Sequence, residues 1–219
     1  MFTIKICGIT TAEDALAVAR SGADAIGVNF YPGSARCVTL RQARAILEVV
    51  PPGVVKAGVF VDAEAAAVCR AFDELGLDLL QLHGDEPPAR LAELGGRPVM
   101  KAFRLGPAGL EPVAEYLRQC RSLGCLPKMV LLDAQVPGAY GGTGQVADWA
   151  AARRYPTEVG GPPMVLAGGL RADNVAAAIR AAGATTVDTA SGVEASPGKK
   201  DLAAVAAFVR AARQALAGR

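Results

Sequence analysis

The chain has 219 residues, of which 52% are hydrophobic and 20% charged, with a formal net charge of +2; that suits one large domain or one α/β barrel and is too short for two domains of usual size. The near balance of charge offers no long basic face to nucleic acid, while an anionic small molecule held by a few arginines and backbone amides stays open. No run of about 18 apolar residues is present to span a bilayer, Met1-Phe2-Thr3-Ile4-Lys5 is not the start of a targeting signal, and five cysteines scattered at 7, 37, 69, 120 and 125 cannot all pair, so the expectation is a reduced, cytoplasmic protein with no membrane partner.

Residues 3–7 read as a first strand, and Thr10-Thr11-Ala12-Glu13 supplies a capping-box pattern for a helix ending near Gly22. A second strand is expected over 25–30, then a loop over 31–38. Thr39-Leu40-Arg41-Gln42 opens a helix whose apolar positions Ala43, Ile46, Leu47 and Val50 have helical spacing, and Pro51-Pro52 stops it. The alternation continues with a strand over 55–60, a helix capped by Asp62 and ending at Leu75 before Gly76, a strand over 79–83 and a short helix over 87–94. A strand over 99–104, a helix over 110–121, a strand from Met129, a helix over 146–155, a strand over 164–167, a helix over 172–182, a strand over 186–188 and a helix over 202–216 complete it. Eight strand–helix pairs in this length predict a parallel eight-stranded sheet with helices outside, closed into a single (β/α)8 TIM barrel over residues 1–219.

The polar inventory collects where the strands end. Cys7, Asn29, Asp62, His83, Arg104, Asp133, Gly168-Gly169 and Asp188 would ring the C-terminal mouth of such a barrel, where its chemistry is built. The apolar strand Met129-Val130-Leu131-Leu132 suits a sheet buried on both faces, and Asp133 at its end would face reacting atoms at the rim. The loop Gly141-Gly142-Thr143-Gly144 just ahead of a helix lets backbone amides approach an anion; the plainer reading is an acid that caps its loop and glycines that turn it. A phosphate is expected at Gly142, Thr143 and Gly144 together with Gly168, Gly169, Ser191 and Gly192, because the loops after strands seven and eight and a short extra helix over 191–194 stand where many barrels bind one.

Cys7 is either an inert small apolar residue or, at the mouth, a base or nucleophile that needs only a modest fall from a thiol pKa of about 8.5. Lys5 shares its parity and points inward, where it requires an inward acid as ion partner; a Schiff-base role is the sharper alternative, one layer too deep. Arg36 is a surface arginine or a guanidinium that reaches over the mouth to a planar carboxylate in a bidentate contact. His83 is structural or lines the pocket. Asp188 does not suit phosphate and is expected to face a sugar, a partner cation or Cys7. Cys120 and Cys125 with the single histidine match no usual zinc spacing, and no metal site is expected.

Taken together, Lys5-Ile6-Cys7-Gly8-Ile9-Thr10, the 30–36 loop, Gly58-Val59-Phe60, Gln81-Leu82-His83-Gly84-Asp85-Glu86, Leu132-Asp133, Gly141-Gly142-Thr143-Gly144, Leu166-Ala167-Gly168-Gly169-Leu170 and Ser191-Gly192-Val193-Glu194 resemble the phosphoribosylanthranilate isomerases of tryptophan biosynthesis. The match runs in order along nearly the whole chain. The double glycine recurs in many phosphate-binding barrels, whereas a cysteine on strand one combined with an aspartate on strand six is much more particular. The resemblance implies an Amadori rearrangement of N-(5-phosphoribosyl)anthranilate to 1-(2-carboxyphenylamino)-1-deoxyribulose 5-phosphate without a cofactor. It makes Asp133 the general acid at the ribose ring oxygen, Cys7 the general base at C2, and Arg36 the holder of the anthranilate carboxylate. A small phosphorylated molecule is the implied partner; a monomer and a homodimer are both compatible with the sequence.

Two departures stand out. Gly27-Val28-Asn29-Phe30 has no aromatic at its second position, where the family more often has one, and Ala190 replaces a more usual Ser or Asn, removing a hydroxyl or amide near the phosphate. Rival readings are another sugar-phosphate isomerase or epimerase barrel, histidine-pathway or dual-substrate, which would use an aspartate pair where this chain has Cys7, and a non-catalytic phospholigand-binding barrel, which would tolerate losing Cys7 and Asp133. Fold alone does not separate them.

Overall fold

Successive side chains of a strand point to opposite faces of its sheet, and here that alternation produces two apolar clusters separated by a closed wall. Ile4, Ile6, Ile26, Val28, Leu80, Leu82, Val130 and Leu132 face outward into a cluster shared with the helices, while Ala25, Ala57, Leu79, Met100, Met129, Leu131 and Val165 pack with Phe2 inside. The structure is a computed structural model and describes residues 2–134 and 148–218.

The wall consists of eight parallel strands, β1 (Ile4–Cys7), β2 (Ala25–Asn29), β3 (Val55–Phe60), β4 (Leu79–Leu82), β5 (Val99–Leu105), β6 (Met129–Ala134), β7 (Met164–Leu166) and β8 (Val187–Thr189), hydrogen-bonded in chain order and closed by β8 on β1. Lys5 is in register with Asp188, and Cys7 with Gly27. Outside run α1 (Ala12–Arg20), α2 (Leu40–Glu48), α3 (Ala65–Leu75), α4 (Pro88–Glu93), α5 (Glu111–Ser122), α6 (Trp149–Glu158), α7 (Val175–Ala182) and α8 (Leu202–Ala217). The expected (β/α)8 barrel is the observed one. Among the described residues no helix is long and apolar enough to cross a membrane.

Several local expectations are corrected. The cap of α1 is Thr11, which accepts from the amide of Asp14, because the Thr10 hydroxyl is drawn off to the carbonyl of Gly198. Thr39 and Gln42 do form the full capping box of α2. Asp62 does not cap α3: it adopts a left-handed φ of 49° and its carboxylate accepts from the amide of Asp85 at 2.7 Å, so the helix starts later, behind Glu64, with no side-chain cap. α7 begins at Val175 instead of 172, since Asn174 ties residues 169–174 into a turn by accepting from the Arg171 amide and donating to the Gly169 carbonyl. α6 starts at Trp149 behind the Asp148 cap and runs past Tyr155 to Glu158 with Pro156 in its last turns; residues 146 and 147 lie outside the described residues.

One element was not foreseen. After a 3₁₀ turn over Ser191–Val193, at the place of the expected extra helix, β9 (Glu194–Ser196) and β10 (Lys199–Lys200) form a small antiparallel hairpin. Its tip residue Gly198 has φ 82°, open to glycine at little cost.

Candidate active site

Along the strands the inward-facing residues change character. Beyond the apolar interior the same faces carry Cys7, Asn29, Gln81, His83, Asp133 and Asp188, and these line one cavity at the C-terminal mouth together with Arg36, Ala167, Gly168, Gly169, Thr189, Ala190 and Ser191. Of the eight strand-end positions expected to ring the mouth, Asp62 and Arg104 do not line it. Asp62 is bound to the amide of Asp85, and Arg104 is paired with the Asp85 carboxylate, so that loop draws both toward the rim of β4 and β5. Gly142, Thr143 and Gly144 lie outside the described residues.

Cys7 ends β1 buried, and Gly27 beside it is the reason it fits. A β-carbon at position 27 would lie 2.8 Å from the Cys7 sulfur and 3.2 Å from Lys5 Nζ. A glycine in the middle of a strand signals close approach of a neighbouring group, and that signal was available in the sequence. Lys5, fully buried one layer below, has the inward acid it needs: its ammonium lies 3.0 and 2.9 Å from the two carboxylate oxygens of Asp188. Burial alone would lower the Lys5 pKa, but Asp188 and then Cys7 outweigh it, and the value is raised, so the ammonium stays charged. For the Cys7 thiol the balance falls the other way from the modest drop a ready base would want. Burial pushes it up, Lys5 pulls it down, and Asp188 adds to the rise, leaving it raised.

Asp133 ends the inward face of β6, with Oδ2 3.3 Å from His83 Nε2; His83 Nδ1 in turn lies 2.9 Å from Gln81 Nε2. His83 is thus a pocket residue, and Gln81, 1% exposed behind it, was overlooked because a glutamine within an apolar strand carries no motif of its own.

The 31–37 loop is organised by Asn29 and Ser34. The Asn29 carboxamide oxygen accepts from the Tyr31 amide at 2.8 Å, and the Ser34 hydroxyl accepts from Asn29 and from the Arg36 amide. Arg36 reaches the cavity, but its bidentate edge is already used: Nε and Nη2 bond the two oxygens of Glu194 at 2.8 and 2.7 Å, leaving Nη1 and the outer hydrogen of Nη2 for a ligand. Glu194 also receives Lys200 at 2.7 Å, and Lys200 donates to the Ala190 carbonyl. Burial would raise Glu194, yet the bonds from Arg36 and Lys200 hold its pKa below the usual carboxylate value. The unforeseen hairpin therefore supplies the anchor of Arg36.

Gly168 and Gly169 take φ 88° and 62°, a region that favours glycine, and Asn174 holds the carbonyl of the second. Among the described residues no acceptor takes the amide N–H of Gly168, Gly169, Ser191 or Gly192, so two facing turns present free donors. Gly192 stands behind the lining, where any side chain would overlap the Leu170 carbonyl, and Thr189 donates to that same carbonyl at 2.7 Å. Ala190 lines the cavity and brings no side-chain donor.

Residues 4–211 match a family model described as N-(5'phosphoribosyl)anthranilate (PRA) isomerase. A relative from Azotobacter vinelandii, named N-(5'-phosphoribosyl)anthranilate isomerase, is 50% identical over 211 residues, covering 96% of this chain and 97% of its own. The crystal structure of a phosphoribosyl anthranilate isomerase from Thermotoga maritima is similar with a TM-score of 0.86 at 36% identity, covering 98% of this chain and all of the other. A second crystal structure, of such an isomerase in complex with reduced 1-(o-carboxyphenylamino)-1-deoxyribulose 5-phosphate, has a TM-score of 0.82 at 35% identity with 98% of this chain covered.

Proposed function

Since the chain belongs to the N-(5'-phosphoribosyl)anthranilate isomerase family, we propose that the residues of its mouth divide the family's reaction among themselves as follows. The reaction is the Amadori rearrangement of N-(5-phosphoribosyl)anthranilate to 1-(2-carboxyphenylamino)-1-deoxyribulose 5-phosphate, in tryptophan biosynthesis. Asp133 gives a proton to the ribose ring oxygen as the bond from that oxygen to C1 breaks, and the anthranilate nitrogen forms the iminium. Cys7, as thiolate, then takes the proton from C2, whose electrons move to the iminium; the resulting enolamine settles as the ketone.

The electrostatics support this order of events. In the free site burial keeps the Cys7 thiol protonated, with Lys5 opposing. An iminium beside it adds a second positive charge and favours the thiolate, whose own proton passes to water before the C2 proton is taken. Arg36 holds the anthranilate carboxylate by the hydrogens that Glu194 leaves free. The amides of Gly168, Gly169, Ser191 and Gly192, with Gly142, Thr143 and Gly144, hold the phosphate of a small phosphorylated substrate; the product-like molecule in the solved relative is a phosphate of that kind.

The observation that carries the assignment is that Cys7 and Asp133, on β1 and β6, line one cavity with the glycine pair after β7 and Ser191 after β8. The test is turnover and binding in Asp133→Asn and Cys7→Ala. Each is expected to lose about 10²- to 10⁴-fold or more in turnover, the usual weight of one proton transfer, and to keep its affinity for the reduced product. Folded variants that lose binding along with turnover would mean that these side chains only build the pocket.

A further inference from the structure

His83 has a neighbour at each ring nitrogen. Gln81 Nε2 is 2.9 Å from Nδ1, and Asp133 Oδ2 is 3.3 Å from Nε2. Gln81 precedes His83 by two residues on the same inward face, is buried, and makes no other side-chain hydrogen bond among the described residues; its Oε1 is buried without a partner. We propose that Gln81 is a positioning residue for the isomerisation: its amide N–H donates to Nδ1 and fixes the neutral His83 ring with its proton on Nε2, aimed at Asp133. This rests on Asp133 being the general acid.

A nitrogen that accepts a hydrogen bond must be bare, so in the neutral ring the proton goes to the other one. The reverse orientation of the Gln81 amide would bury two N–H donors where Oε1 now lies, with nothing to receive them. The observed orientation leaves one N–H and one carbonyl oxygen unpaired instead of two N–H groups, the smaller cost, because a carbonyl with no partner is more readily tolerated in protein interiors than an N–H. The tautomer then follows from a side chain that touches no substrate.

It matters at the first proton transfer. When Asp133 gives its proton to the ring oxygen it becomes a carboxylate, and Nε2–H, which lies 3.3 Å from Oδ2 and makes no hydrogen bond among the described residues of the free site, turns onto that oxygen and stabilises the charge. His83 ends with the same number of protons it began with. With the other tautomer, a bare Nε2 lone pair would face the forming carboxylate and hold the proton back. The arrangement is an acid oriented by a ring that is itself oriented by a third group.

The chain has a single histidine, so protein labelled with ¹⁵N in histidine shows two ring resonances, both from His83. In the neutral ring the directly bonded proton is expected on Nε2, with Nδ1 bare. In Gln81→Met, similar in size and apolar, the proton is expected to spread over both nitrogens, and kcat to fall about 10- to 100-fold, the weight of a hydrogen bond to a charged group, with KM within about twofold. Gln81→Glu can only accept, and is expected to move the proton to Nδ1 with a larger fall in kcat. A wild-type ring protonated on Nδ1 overturns the proposal without any variant having to fold. So does Gln81→Met with a shifted tautomer and unchanged kcat. Full turnover in Asp133→Asn would instead remove the general acid, and the nitrogen spectra would still report what Gln81 does to the ring.

Discussion

Lys5 and Lys101 are both buried lysines on barrel strands, on opposite sides of the wall. Lys5 points inward and meets both oxygens of one carboxylate, Asp188, at 3.0 and 2.9 Å. Lys101 points outward toward α5 and meets one oxygen of Glu86 at 3.0 Å, the carbonyls of Gly84 and Ala102 at 2.8 and 3.1 Å, and the rings of Phe103 and Tyr116 at 5.4 and 5.8 Å. Burial lowers both pKa values. At Lys5 the acids of the site outweigh it and the value is raised, whereas at Lys101 burial outweighs Glu86 and the value is lowered. The inner lysine is thus a counter-charge to the site's own acids, and the outer one a post for the loop after β4. That loop begins with His83, and Glu86 closes it by accepting from the amides of Gly84 and Asp62.

The difference predicts unequal costs. Lys5→Met leaves the Asp188 carboxylate buried with no counter-ion, and burial already pushes that carboxyl up. The expected loss is about 3–5 kcal/mol in denaturant unfolding, as for other broken buried pairs. Removing both charges, in Lys5→Met with Asp188→Leu, should recover most of that stability and none of the turnover. A double variant as unstable as the single one would mean that the Lys5 stem, and not its charge, holds the interior.

Lys101→Met should be milder, at about 1–3 kcal/mol, because Glu86 keeps three bonds to backbone amides at 3.0 to 3.1 Å after its cation is gone. Turnover should drop as well, since Gly84 follows His83 directly. Equal destabilisation by Lys101→Met and Lys5→Met would erase the distinction between counter-charge and post.

The same inner charge sets the reactivity of Cys7. Burial raises the thiol, Asp188 adds to the rise, and only the cations oppose it. A raised pKa means little thiolate at pH 7, so alkylation of Cys7 should be slower there than that of the exposed Cys37, climbing about tenfold per pH unit as the thiolate fraction grows. Slower alkylation still in Lys5→Met is the expected sharpening. Fast alkylation of Cys7 at pH 7 would show the thiolate already formed before substrate arrives.

How much of this was legible in the chain depended on how local its cause is. The alternation of apolar runs with capped helical stretches made the barrel readable, and parity along β1 put Lys5 and Cys7 on one inward face with an acid owed to the first. Asp188 as that acid follows only once β8 closes on β1, across most of the sequence. Thr11 instead of Thr10 as a cap, and Asp62 turned left-handed, failed to show because each is decided by a distant partner, Gly198 in one case and Asp85 in the other. The anchor of Arg36 was hidden for the same reason: β9 and β10 are too short to give a periodic signal, and Glu194 looked like the end of a phosphate turn. Gln81 shows the limit most plainly, since its meaning lies in a ring nitrogen two residues away.

A half-exposed ion pair at the opposite end of the barrel gives the smallest effect and the control for the other three. Asp24 accepts from the amides of Thr3 and Ile4, from the Thr3 hydroxyl and from Arg213. Burial would raise it, but the bonds from Arg213 and Thr3, followed by the two amides, outweigh that, and its pKa is lowered from 3.8. A carboxylate whose pKa is lower folded than unfolded adds stability above the unfolded value and loses it as pH falls through the folded one. Asp24→Asn should therefore cost only about 0.5–1 kcal/mol at pH 7, because water screens a pair this exposed. The gap to the wild type should close as pH drops below about 3.8, the unfolded value of an aspartate. Turnover should not change, since Asp24 lies at the end of the barrel away from the mouth. A gap that persisted in acid would mean that Asp24 acts through its shape in the turn between α1 and β2, and its charge would then have no part in the contrast between buried and exposed pairs.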